Sequence, residues 1–315
     1  MADSVAPPTS RASSGAGSKR RGSWRRALLP YAFVAPAVLV MAALMVFPMG
    51  RMIHMSLFQD LFSRVGERFV GFENYADLFQ KELFWVALAN SIIFVVASLI
   101  IHQIVGGGLA LLLTSRMRGS LRTFFRAIFI TPWLIIPAVV AITWVLLLDH
   151  RGGFNSMLRS LGIVECCPPP EWFGDFKLAM PALIATNGWG GYPLTMIMWL
   201  AGLQSIPKDH YEAASVDGAG RWRRFRHITL PAMGPTILTI LLLDTIYTFR
   251  NWDLPFLTTG GGPGDTTMVL PLLTYREAFI GFNFGISAAS AVMILLITAF
   301  FVFWFLRIRG RLLEG

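Results

Sequence analysis

Six apolar stretches lie at about residues 28–50, 84–113, 127–148, 178–203, 233–249 and 278–306. Each approaches the ~20 residues a helix needs to cross ~30 Å of hydrocarbon. Within lipid every backbone N–H and C=O must find a partner inside the protein, so only helices and closed barrels can span. Barrel strands would read as alternations of ~10 residues, and the chain has none. The expectation is an all-α integral membrane protein with six transmembrane helices. Composition agrees, since charged residues are 14% of the 315, against about 25% in soluble globular chains.

The net charge of +9 raises nucleic acid as a partner, but the placement of the basic residues argues for membrane topology instead. With a cytoplasmic N-terminus, the inside segments 1–27, 114–126, 204–232 and 307–315 hold 18 of the 27 Lys and Arg residues. The outside segments hold the rest, along with twelve of the 18 acids. This bias in short loops puts both termini in the cytoplasm, which makes the chain a multi-pass protein of the plasma (inner) membrane in contact with lipid. Residues 1–27 carry six basic residues among Pro, Ser, Gly and Ala, a composition that predicts a disordered cytoplasmic arm. The run from Leu28 to Val46 is too long for the core of a signal peptide and lacks a small-x-small cleavage site, so it is read as a retained first helix. Residues 28–306 then form the membrane domain, and 307–315 a cytoplasmic tail. Cys166 and Cys167 are adjacent, a spacing that suits neither a metal site nor an unstrained bridge.

Residues 204–232 read QSIPKDHYEAASVDGAGRWRRFRHITLPA. Pro207 suits the first turn of a helix, Lys208 to Asp217 supply about three turns of good helix formers, and Gly218 supplies a left-handed terminator. A second short helix, Arg221 to His227, leads to Pro231 at the start of the next span. The prediction is a helix-turn-helix on the cytoplasmic face between helices 4 and 5. Its arginines have an ordinary role in topology and lipid binding, whereas a small-residue helix presented to the cytosol has no such explanation.

Glu212-Ala213-Ala214, then Gly218, Ile228, Leu230 and Pro231, resemble the Glu-Ala-Ala loop of permease subunits of bacterial ATP-binding cassette importers, a pattern of seven residues in 20 positions. Tyr211, Asp217, Ala219, Trp222 and Phe225 beside it, the Phe84-Trp85 to Asn90 stretch, Arg126 to Pro132, Gly153 to Asn155 and Thr259 to Pro263 resemble the carbohydrate-uptake branch. Within that branch the chain is similar to the first permease of maltose and glycerol-3-phosphate transporters. The resemblance covers nearly all of the chain beyond the arm.

The resemblance implies a non-catalytic subunit whose loop docks on a separate ATPase. Tyr211, Glu212, Ala213, Ala214, Asp217 and Gly218 would be the coupling residues. No GxxxxGK[ST] loop is present, so this chain itself would bind no cofactor, and ATP and Mg would belong to partner subunits. The implied partners are a second homologous permease, two nucleotide-binding subunits and an extracellular solute-binding protein.

Polar residues within spans face a cavity or another helix. His102 and Gln103 in the second span suit interhelical hydrogen bonds. Asn187, Trp189 and Tyr192 lie among the glycines of the fourth span, and Asp244, Tyr247, Thr248 and Asn251 share one face of the fifth. Sugars need hydrogen-bonding groups and aromatic faces. Asn187, Gly191, Leu194, Asp244, Tyr247, Thr248 and Asn251 resemble sugar-contacting positions of the family, although only the two asparagines match in type, which implies a different solute. Asp244 also suits a buried acid paired with an arginine such as Arg250. Disaccharides, oligosaccharides, trehalose-like sugars and sugar-like solutes such as glycerol phosphates or their diesters all fit, and the lack of a basic cluster favours a neutral sugar among them. An ion-coupled secondary transporter is the alternative; it would need intramembrane carboxylates, and the spans hold one Asp.

Overall fold

The computed structural model describes residues 22–59, 66–114, 118–163 and 169–314. The cysteine pair and the arm as far as residue 21 lie outside these segments. The chain divides at Arg51 into two compact units. In the first, α1 (Gly22–Met41) continues through a π-helical turn, Ala42–Val46, into α2 (Phe47–Ser56), whose residues from Met52 onward belong to the second. Helix therefore begins at Gly22, inside the segment expected to be a disordered arm.

After the end of α2 the second unit has a two-strand hairpin, β1 (Phe58–Gln59) and β2 (Arg68–Phe69), followed by α3 (Glu73–Gln80). Leu78 of α3 is buried while Phe69 and Phe72 are exposed. The long α4 (Glu82–Thr114) comes next, then α5 (Gly119–Leu134), α6 (Pro137–Leu148) and the short α7 (Gly153–Ser160). The third apolar stretch is thus not one helix. Pro137 cannot donate a backbone hydrogen bond and holds Ile136 in an extended conformation, and α5 meets the α6–α7 arm at a 95° bend.

Next come α8 (Ala179–Ser205), the loop helices α9 (Lys208–Val216) and α10 (Arg221–Arg224), and α11 (Leu230–Phe249). Arg221 to His227 do not close a separate helix, because a π-helical turn, Phe225–Thr229, joins α10 directly to α11. The short α12 (Asp253–Thr258), α13 (Leu270–Phe279) and the long α14 (Phe284–Glu314) complete the chain.

Among the described residues, four helices are long and apolar enough to cross a bilayer, Phe33–Ser56, Glu82–Thr114, Arg221–Phe249 and Phe284–Arg311, and the bent pair makes five if it counts as one span. The exception to the expected six is α8. Its 27 residues are ample in length, but Asn187, Trp189, Tyr192 and their neighbouring glycines dilute its apolar character. It packs mainly against α4. A Cβ on Gly106 of α4 would lie 2.7 Å from the Tyr192 carbonyl and 2.9 Å from the Met196 nitrogen, so the two backbones touch where only hydrogen fits.

Two apolar clusters hold this unit together. One gathers Phe84, Phe94, Leu183, Phe249 and Leu270. The other gathers Leu113, Met196, Trp199, Met233 and Ile240. On each of α4, α8 and α11 the chain passes from one cluster to the other, and the polar residues His102, Asn187 and Asp244 fall at that seam.

Candidate binding cavity and exposed helical loop

The seam opens into a cavity of about 830 Å³, within the roughly 300–1,000 Å³ typical of small-molecule sites. Its walls come from α8, α11, the residues after α11, the α5–α6 bend and His102 of α4. All seven residues singled out from the sequence, Asn187, Gly191, Leu194, Asp244, Tyr247, Thr248 and Asn251, border it. Asn251 does so from beyond the end of α11, where Arg250 caps the helix. Trp189 and Tyr192 are not among the lining residues. On α8 the lining positions Thr186, Asn187, Gly190, Gly191 and Leu194 follow helical three- and four-residue spacing, which leaves Trp189 on another face against Trp144, 6.0 Å between ring centres.

The aromatic surface comes instead from Trp133, Tyr247 and Trp252. Of these, Tyr247 was legible from its place on the face of Asp244. Trp133 was not, because only the bend between Pro132 and Pro137 brings it to the cavity.

Asp244 is not paired with Arg250. Its two carboxylate oxygens lie 3.0 and 2.9 Å from His102 Nδ1, and Thr248 Oγ1 donates to Oδ1 at 3.2 Å. The other ring nitrogen, Nε2, stands 3.1 Å from the Asn187 carbonyl. One imidazole thus ties α4 to α8 and α11, with an acceptor facing each nitrogen. Gly191 lies flush against this ring, where a Cβ would overlap Cε1 and Nε2. Gln103 bonds to a helix as well, accepting from Trp199 Nε1 at 2.8 Å.

The amides on the wall have a fixed polarity. The Leu254 N–H donates to Asn251 Oδ1 at 3.2 Å, so Asn251 Nδ2 is the group that donates to Asn187 Oδ1, at 3.1 Å. Asn187 Nδ2 is then left buried without a partner among the described residues.

In the loop, α9 ends in a left-handed Gly218 with φ of +74°. The Ala219 N–H bonds the Ala214 carbonyl and the Gly218 N–H bonds the Ser215 carbonyl, the paired closure of a Schellman motif. Glu212, Ala213, Asp217 and Gly218 are exposed and Ala214 is half-buried. Tyr211 turns the other way, its hydroxyl 2.9 Å from Thr229 Oγ1 at the foot of α11. The chain just beyond the Thr259 to Pro263 segment is held to α4 by Asn90, which donates to the Asp265 and Met268 carbonyls at 3.0 and 3.1 Å.

Residues 103–313 match the family of binding-protein-dependent transport system inner membrane components. The chain belongs to this family of non-catalytic permease subunits of ABC transporters. It is 32% identical over 289 residues to the trehalose/maltose transport system permease protein MalF of Thermococcus litoralis, covering 91% of this chain and 95% of that one. It is also 32% identical to the sulfoquinovosyl glycerol transport system permease protein SmoG of Agrobacterium fabrum, over 84% of this chain and 85% of the relative. Among solved structures it is similar to a bacterial ABC transporter involved in the import of the acidic polysaccharide alginate, with a TM-score of 0.79, 25% identity, and coverage of 91% of this chain and 96% of that one. The family and these relatives place the chain among permeases of sugar-type importers.

Proposed function

We infer that this chain forms one half of the translocation pathway of an ATP-driven importer for a sugar or sugar-like solute, with six spans and both termini in the cytoplasm. In this reading a second, homologous permease completes the pore. An extracellular solute-binding protein delivers the solute, and two ATPase subunits, which hold ATP and Mg, dock on the loop through Glu212, Ala213, Ala214, Asp217 and Gly218. Tyr211 acts from behind by bracing α9 against α11. The observation that carries the reading is the convergence of Asn187, Gly191, Leu194, Asp244, Tyr247, Thr248 and Asn251 on one cavity, in a chain whose family is defined by binding-protein-dependent transport.

A tagged chain extracted from its native membrane in mild detergent tests this. A second permease and an ATPase should co-purify, the ATPase should be lost when Glu212 and Gly218 are both replaced, and added solute should stimulate ATP hydrolysis. Recovery of the chain alone, or as a homo-oligomer without an ATPase, overturns the importer reading.

A further inference from the structure

A second cavity of about 380 Å³ lies beside the first, and Arg250 and Trp252 line both. Arg250 is exposed. Its guanidinium makes no ion pair or side-chain hydrogen bond among the described residues. Of the acids that line these cavities, Asp244 is held by His102. Asp253 also borders the larger cavity but forms no ion pair with Arg250. Two residues beyond Arg250, the Trp252 ring stacks on Tyr275 with 5.3 Å between ring centres and 20° between planes. The junction of the two cavities therefore offers a free guanidinium, an aromatic wall and one carboxylate.

We propose that Arg250 is the anion-reading residue of the solute site and that the solute is an acidic saccharide, one bearing a carboxylate, a sulfonate or a phosphate ester. The proposal rests on the reading of the larger cavity as the solute site of an importer. While the cavity is open, water solvates Arg250. Transport requires the site to close around its solute, and closure over a neutral sugar would leave the guanidinium buried without a paired counter-charge, since Asp253 on the same wall makes no ion pair with it, and an unpaired buried charge is costly. An oxyanion on the solute removes that cost and suits the fork of guanidinium donors. Asp253 argues against a bare inorganic anion, which it would repel, and for a ligand whose hydroxyls can donate to it. An acidic sugar supplies both groups, and its ring face suits the aromatic wall. Lack of a basic cluster in the sequence favoured a neutral solute; one unpaired arginine at the junction reverses that preference, because the acid nearest to it in the fifth span is occupied by His102.

The test uses the complete transporter in proteoliposomes, with the same solute-binding protein throughout. The probes are methyl glucoside and maltose, each neutral and in forms carrying a carboxylate, a sulfonate or a phosphate ester at C6. The half-saturating concentration for stimulation of ATP hydrolysis is read for each. At least one anionic form should act at about tenfold lower concentration than its neutral parent, the scale of one charge-assisted contact. Which oxyanion does so identifies the acid.

Arg250→Gln should bring the ratio of neutral to anionic constants to within about threefold of unity, with Arg250→Lys in between, since lysine keeps the charge but not the fork. The binding protein is common to all variants, so a changed ratio belongs to this chain. A neutral parent that acts as well as every anionic form, or a ratio unmoved by Arg250→Gln, overturns the proposal while leaving the importer reading intact. Silence from every probe in a complex that retains its ATPase overturns the sugar reading of the cavity, and this proposal with it.

Discussion

At the scale of single residues, the candidate site depends on a position with no side chain. Gly191 faces the cavity, yet its hydrogen lies against the His102 ring, and that ring connects Asp244 to the Asn187 carbonyl. An alanine there must displace the imidazole and break one or both of its bonds. Gly190, one residue earlier on the same helix, has nothing within 4 Å of the place a methyl group would take. Gly191→Ala is therefore expected to destabilise the purified protein by about 2 kcal/mol, from overpacking and lost hydrogen bonds, and to lower its thermal midpoint. Gly190→Ala should leave the midpoint within error, and equal midpoints for the two variants would show that the ring does not need this space. The sequence marked Gly191, Asp244 and His102 as notable but did not show that they form one unit. His102 and Asp244 are 142 residues apart, and their meeting depends on the rotation of α4 and α11 about their axes, which helical spacing within either one does not determine.

At the scale of elements, local chemistry was legible where one residue dictates the backbone. Pro207 and Gly218 are such positions: Pro207 caps α9 from one residue before its first turn rather than within it, and Gly218 takes the left-handed conformation after it. The bend between α5 and α6 was not, because Pro132 and Pro137 look like the prolines that other spans tolerate. Pro36 lies inside α1 and Pro193 inside α8 without ending either helix. What a proline does in an apolar helix is decided by whether neighbours can satisfy the freed carbonyls.

The loop itself yields a test that separates conformation from bulk. A Cβ on Gly218 would meet nothing within 4 Å, so any penalty at that position within this chain comes from its φ of +74°. Asn visits the left-handed region readily and β-branched residues almost never do. Gly218→Asn should keep most solute uptake, while Gly218→Val, strained by about 1–2 kcal/mol or reoriented to escape that strain, should lose most of it. Equal uptake by the two variants in membrane vesicles would mean that the angle between α9 and α10 is not what the ATPase reads.

For the molecule as a whole, the number of spans turns on α8. Length and composition mark four or five spans among the described residues, an even or odd count that would place the termini differently. If α8 crosses as well, the count is six, and the exposed loop around α9 lies on the same side as the basic N-terminal segment. The distribution of 18 among 27 basic residues on that side supports this count through the positive-inside rule. A helix can cross a bilayer without an apolar surface of its own when neighbours cover it, and α8 buries Leu183, Thr186, Met196 and Trp199 against them.

Replacing Cys166 and Cys167 with serine removes both native thiols and permits single cysteines to report topology. Ser160, exposed at the end of α7, and Ser215, exposed on α9, lie on opposite sides if α8 spans. A membrane-impermeant maleimide applied from outside to spheroplasts should label Ser160→Cys at once and Ser215→Cys only after permeabilisation. Labelling of both from outside would mean that α8 turns back without crossing. In that case α9 faces away from ATP, and neither Glu212 nor Gly218 can reach a nucleotide-binding partner.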